Sequence, residues 1–386
     1  MRWIVTDDIY AETWRRLLEF ANIELTQDEI IRRHGVSKPK SSRENIAKQA
    51  SQARVCVLQS KEYFDASRSS SLFTSPNHAY YGAVGLASLM MLILGDGTKS
   101  LDYLRSDNRN NHHGLDLTTG CSAKTASSGI NLLNDTQVEL LKHGHFANWY
   151  RTLPTHGNVY AFVKRTKGNT ANLNFLPAGG YEVPAYETLE GKKKSVAELV
   201  KYLPDLDMDL ERFGIEAVRS RTTHEIVHSQ DGTETHKWRI HGCRTPQERD
   251  ALLERFTVVP RFSEALSCIG TEDTSAAIVS LTFKHPEEIG FGWPNSRETL
   301  NHDTIAYASH ADTHEIVDLY LLAYQLSMLS RYYPDIWVSC IESRCRGAKL
   351  IERVVDIIVK KLPILALSMI SSEEVVISTH RAPWKD

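Results

Sequence analysis

Residues 63–94 read YFDASRSSSLFTSPNHAYYGAVGLASLMMLIL, and this stretch decides the fold. A polar lead-in meets Pro76 and Asn77, residue types suited to the first turn of a helix. From Ala79 to Leu94 nearly every position is apolar or small. A helix apolar all round is buried on all sides, so this one belongs at the centre of a core. Ala79, Gly82, Ala83, Gly85 and Ala87 would let neighbouring helices come close. Gly95-Asp96-Gly97 then stops the helix. The polar loop beyond it ends in RSDNRNNHHG, Arg105 to Gly114, with paired histidines.

Outward from this segment the chain is helical at both ends. Trp14, Leu17, Leu18 and Phe20 form one apolar patch, and a second helix is predicted to start near Ser42. Residues 127–150 read as a further helix through Leu132, Leu133, Val138, Leu140 and Leu141. Glu315 to Tyr333 is apolar almost throughout and is expected to pack on the 79–94 helix, with Pro334 ending it. Two short helices, 349–361 and 363–370, are expected to complete the tail.

The pattern changes after residue 151. Thr222 to His241 reads as a β-hairpin turning at Asp231-Gly232, and 276–283 and 304–308 read as strands. A helix interrupted by Pro204 is expected between Gly191 and Gly214, and Lys192 to Lys194 read as a solvated loop. The predicted class is α+β, mainly α, in three parts. These are an N-terminal helical region (1–150), a mixed α+β segment (151–310) and C-terminal helices (311–386) that pack on the N-terminal core.

Bulk properties narrow the function. The chain has 386 residues, 41% of them hydrophobic, and a net charge of −3. No global basic field attracts nucleic acid. The apolar run Ala79–Leu94 spans 16 residues, short of the roughly 20 that cross a bilayer. The opening MRWIVTDD has no apolar secretory core. Six scattered cysteines without a C-x-x-C pair suit a reducing, cytoplasmic setting. No G-x-G-x-x-G, phosphate-loop or G-x-S-x-G motif is present, and no metal or cofactor is implied.

Three clusters could carry chemistry. His224-Glu225-Ile226-Val227-His228 matches the zinc-protease pattern, but on a strand Glu225 would face away from both histidines. The alternative there is a polar, mildly basic sheet face holding His224, His228, Lys237, Arg239 and His241, able to touch RNA or a partner. His143-Gly144-His145 has no third metal ligand nearby and reads as packed or capping. The loop with Arg105, His112 and His113 is the strongest catalytic candidate. Metal-free RNA cleavage needs an acid, a base and a cation on the phosphate, which histidine and arginine supply.

The 63–94 stretch, His113-Gly114-Leu115, His145-Phe146 and YQLSMLSRYYPDIW (324–337) together resemble the YaaC-like family of bacterial proteins. A buried Tyr-Tyr-small helix, a glycine stop and a His-Gly loop leading into another helix is similar to HEPN-type helical domains. That wider likeness implies a HEPN-like helical core and a dimeric, metal-independent RNase whose active pair is an arginine followed closely by a histidine. Arg105 with His112 matches it, and His113 opens the His-Gly match. Two functions are therefore expected. One is a non-catalytic interaction subunit of a stress or antiphage defence complex, the other an RNase effector of such a system. A protein partner or a second copy is expected, RNA is open, and no membrane is.

Overall fold

The fold is given by a computed structural model. It describes residues 2–35, 40–153, 156–167, 170–182, 184–215, 220–228, 234–243, 266–271, 277–284, 296–298, 305–307, 313–371 and 375–378, with 156–182 and 220–307 described by backbone only. The helices are α1 Ile9–Leu17, α2 Ile23–His34, α3 Lys40–Ser69, α4 Ser75–Leu94, α5 Leu101–Arg105, α6 Ala123–Ala126, α7 Ile130–Asp135, α8 His145–Tyr150, α9 Val196–Val200, α10 Asp207–Phe213, α11 Glu315–Tyr332, α12 Pro334–Glu342 and α13 Arg346–Ile370. The strands are β1 Arg2–Val5, β2 Leu115–Thr119, β3 Thr136–Leu140, β4 His156–Lys167, β5 Thr170–Glu182, β6 Lys193–Ser195, β7 Ser220–His228, β8 Glu234–Cys243, β9 Leu266–Thr271, β10 Ala277–Lys284, β11 Ser296–Glu298, β12 Ile305–Tyr307 and β13 Val375–Ser378. The α+β, mainly helical class stands.

Helix α4 starts where Pro76 places it and runs through the middle of the core. Its composition would suffice to cross a membrane, yet most of its residues are buried against protein. It packs on α3, α11 and α13. The small residues do what their size allows. A Cβ added at Gly82 would lie 2.7 Å from the Phe64 ring, and one at Gly85 would lie 2.2 Å from Ser60 Oγ and 3.2 Å from the Cys56 carbonyl. Those glycines set the spacing between α3 and α4. Trp14 and Phe64 close the far side of that contact, with ring centroids 5.7 Å apart.

One apolar core joins the two ends of the chain, from Trp14 to Ile370. It also takes in Tyr186, Leu189, Val196, Leu203 and Leu210, so residues 184–213 of the expected middle segment are part of the helical body. A small antiparallel sheet, β2-β3-β6, lies against it.

Four readings of local structure change. Residues 127–150 are not one helix: Thr136–Leu140 is a strand whose residues alternate between buried and half-buried. Val138 and Leu140 sit two apart on its inner face, a period the Leu132-Leu133 pair had masked. The His-Gly loop leads into strand β2 and not into a helix, because Leu115, Leu117 and Thr119 alternate toward the core. Lys194 lies on β6, nearly buried, with its ammonium 2.8 Å from Glu198. Helix α13 runs unbroken through Pro363. Packing of its buried face outweighs the interior-proline penalty of about 3 kcal/mol.

The larger sheet has the order β11-β12-β7-β8-β10-β9, with β4 joining β7 in parallel and pairing with β5. The hairpin expected at 222–241 is β7 and β8, and β10 and β12 match the other two expected strands. The turn at 229–233 lies outside the described residues. Register pairs His224 with Trp238 and Glu225 with Lys237. Paired residues share a face and neighbours alternate. His224 and His228 therefore take the opposite face of the ribbon from Lys237, Arg239 and His241, and the expected single basic face is divided. The side chains of these five residues lie outside the described ones.

Candidate functional site

Two close backbone approaches build the site. Gly114 and Gly144 both have positive φ, 79° and 110°. A Cβ on Gly144 would lie 2.4 Å from the Gly114 Cα, so only glycine fits this crossing. The carbonyls of His112 and His113 accept hydrogen bonds from the backbone N–H groups of His145 and Phe146, each 2.9 Å long. The His-Gly pair and the His-Gly-His-Phe segment, far apart in sequence, thus form one paired unit at the end of the β2-β3 sheet.

Two histidines of this unit, His113 and His145, point into a nest of tyrosines from α4 and α11. Tyr80 hydroxyl and His113 Nδ1 share a 2.8 Å hydrogen bond. Tyr324 donates to the Leu115 carbonyl at 2.9 Å, and its ring stands edge-on to Tyr80 at 5.4 Å. His145 is bound on both ring nitrogens, by Ser88 Oγ at 3.0 Å and by Tyr320 hydroxyl at 3.2 Å. Burial lowers the pKa of His113, helped by the charges of Arg331 and His112. Burial, with His113 and Arg105 nearby, brings His145 down to about 4. Both are neutral at pH 7. Burial also raises Tyr80 well above the usual tyrosine range, so its hydroxyl keeps its proton.

Beside this nest the cluster reaches solvent. Arg331 donates to Tyr81 hydroxyl at 2.8 Å and to Tyr332 hydroxyl at 3.1 Å, and lies over both rings. Tyr63 stacks on Tyr81 with centroids 5.5 Å apart. Ser327 and Ser330 both donate to Asn77 Oδ1, at 3.0 and 2.8 Å. Tyr63 and Tyr332 are exposed. Every segment quoted for the family resemblance converges here. A family model, that of the YaaC-like proteins, matches residues 18–370. The chain belongs to the YaaC-like family. No curated protein and no solved structure matches it.

Set against this YaaC-like geometry, the Arg/His candidates separate. Arg105 is the exposed last residue of the five-residue α5. A 3-10 turn, Asn108–Asn110, stands between it and His112. Asp107 caps that turn and Asn110 donates to the Leu104 carbonyl at 2.9 Å. Such short polar side chains compete with helical bonding, so the pair is not carried on one helix. His112 is exposed, and its Nδ1 accepts the Gly114 N–H at 3.0 Å. His113 is half-buried in the tyrosine nest. His143-Gly144-His145 is a packing element through His145. Among the described residues no three His, Cys, Asp or Glu side chains gather as a metal-holding group.

Sequence reasoning gave no site role to Tyr320, Tyr324 or Arg331, although the last two lie in the 324–337 block that carries the family resemblance. They lie on α11 at spacings that bring them toward α4, but a helix apolar almost all round carries no mark of which turn faces the histidines.

Proposed function

We propose that this YaaC-like protein is a non-catalytic binding subunit that works with a protein partner or a second copy of itself. The observation that supports this reading is the state of the histidines. His113 and His145 are neutral and hydrogen-bonded into the fold, so they hold no proton for a leaving oxygen at pH 7. The part of the cluster nearest solvent is exposed Tyr63 and Tyr332 with half-buried Tyr81 and Arg331, residue types that dominate binding hot spots. A bacterial stress or antiphage assembly in the cytoplasm is the setting this reading carries over from the sequence.

The competing reading is a HEPN-like, metal-independent RNase. Arg105 and His112 favour it, because both are exposed and the charge of Arg105 reaches the histidine cluster. Expression of wild type and of the His112→Ala/His113→Ala variant, with total RNA run on a gel, separates the two. Intact RNA in both supports the binding subunit, provided Arg331→Ala/Tyr332→Ala changes the elution volume of the complex. RNA cleavage lost only in the histidine variant would overturn it.

A further inference from the structure

A groove of about 830 Å³ opens where the turn between α3 and α4 meets α10 and the start of α13. Six cations line it, Arg68, Arg212, Arg344, Arg346, Lys349 and Arg353, against three carboxylates, Asp209, Glu352 and Asp356. On a chain of net charge −3, this is a local reversal of sign.

The carboxylates are already occupied. Arg353 takes Asp209 at 3.4 Å and Asp356 at 3.1 Å, and Lys349 takes Glu352 at 2.9 Å. Arg212, Arg344 and Arg346 have no ion-pair or hydrogen-bond partner for their side chains among the described residues. Arg344 is held in the left-handed region, φ 47°, the one non-glycine residue so placed among those described. That turn delivers two arginines at the start of the 25-residue α13, an end with no side-chain cap. A second helix start contributes as well. Ser75 is only 4% exposed and lines the same groove, and its hydroxyl has no hydrogen-bond partner among the described residues. A hydroxyl on a mostly buried serine that opens into a cationic groove can donate to a bound anion.

The groove is not polar throughout. Leu72, Phe213, Val355 and Val359 also line it. Its volume falls within the roughly 300–1,000 Å³ of small-molecule sites. Unpaired guanidiniums suit phosphate oxygens bidentately, and Phe213 offers a ring for a flat aromatic group. We propose that this groove binds a nucleotide carrying two or more phosphates. The phosphates meet Arg212, Arg344, Arg346 and the Ser75 hydroxyl, and the base lies on the Phe213 side.

Isothermal titration of the full chain with ATP, GTP, inorganic pyrophosphate, adenosine and a single-stranded RNA oligomer tests this. Saturable binding of at least one nucleotide is expected, tighter than pyrophosphate by tenfold or more, with adenosine silent. Arg344→Ala/Arg346→Ala should weaken it at least tenfold, and Arg212→Ala, on a different helix, should do so independently. All three side chains are exposed, so melting temperature should not move. Should the double variant fail to fold, Arg212→Ala and Ser75→Ala carry the test alone. Absence of saturation with every nucleotide at millimolar concentration would overturn the proposal. So would binding unchanged in these variants, or binding of a single-stranded RNA oligomer alone.

Discussion

Tyr80 and His113 share a 2.8 Å hydrogen bond between the buried α4 helix and the His-Gly loop, 33 positions apart. This bond fixes the loop against the helix and gives the half-buried imidazole a partner. Burial alone would leave His113 short of a partner, and the tyrosine hydroxyl supplies it. Tyr80→Phe keeps the ring packing and removes the bond. We expect a loss of about 1–3 kcal/mol, the penalty for an unmatched buried polar group, read as a lower denaturant midpoint at unchanged slope.

Acid should unfold this protein earlier than carboxylate titration would. His145 has its pKa lowered to about 4, against 6.5 in the unfolded chain. Between those values the unfolded state binds a proton that the folded state refuses, so stability rises with pH there. The contribution is complete above pH 6.5 and is lost as pH falls toward 4, about 3 kcal/mol in all for His145. His113 adds in the same direction. Urea midpoints at pH 7, 6, 5 and 4.5 should fall steeply, and more gently in His145→Gln. A flat profile in wild type would remove this account.

Gly85 should resist substitution. Alanine gains roughly 1 kcal/mol of helix propensity over glycine, but its Cβ would sit 2.2 Å from Ser60 Oγ and 3.2 Å from the Cys56 backbone carbonyl. Overpacking of that kind typically costs about 1–3 kcal/mol, so clash outweighs propensity. Gly85→Ala should lower the melting temperature, and Ser60→Ala in the same chain should restore part of it, because the nearer clash is with a side chain. A gain in stability for the single variant would contradict the close approach of α3 and α4.

Lys361 provides a fourth point of leverage. Its ammonium lies 2.6 Å from Asp205 and 2.7 Å from Glu315, all three nearly buried. Desolvation opposes the charge, but the two carboxylates outweigh it and hold the lysine above its usual range. Lys361→Met takes this ammonium away from two buried acids, and breaking a buried pair this way costs about 3–5 kcal/mol. Chemical denaturation should show it, with recovery in the triple change that also replaces Asp205 and Glu315 by Asn and Gln. No recovery would place the loss in packing.

Legibility in the sequence followed burial symmetry. The 75–94 helix was readable because every face is apolar, and Pro76 marked its start. The hairpin was readable because alternation and Asp231-Gly232 agree. Thr136–Leu140 was not, because two leucines just before it extend an apolar run that suits a helix equally well. At the site, the His-Gly pair stood out, whereas the 324–337 block with Tyr324 and Arg331 marked the family but no role, and Tyr320 lay unmarked in an apolar helix.

Composition and periodicity by themselves determined a mainly helical α+β protein with one central helix shared by both ends of the chain, since apolar pattern alone forces that burial. Tertiary structure decided which face each histidine serves. Only the folded chain brings Gly114 onto Gly144, places Tyr80, Tyr320 and Tyr324 around His113 and His145, and shifts those imidazoles to neutral. Desolvation and hydrogen bonding depend on neighbours far away in sequence, such as Tyr320, 175 positions from His145, and no local pattern encodes them.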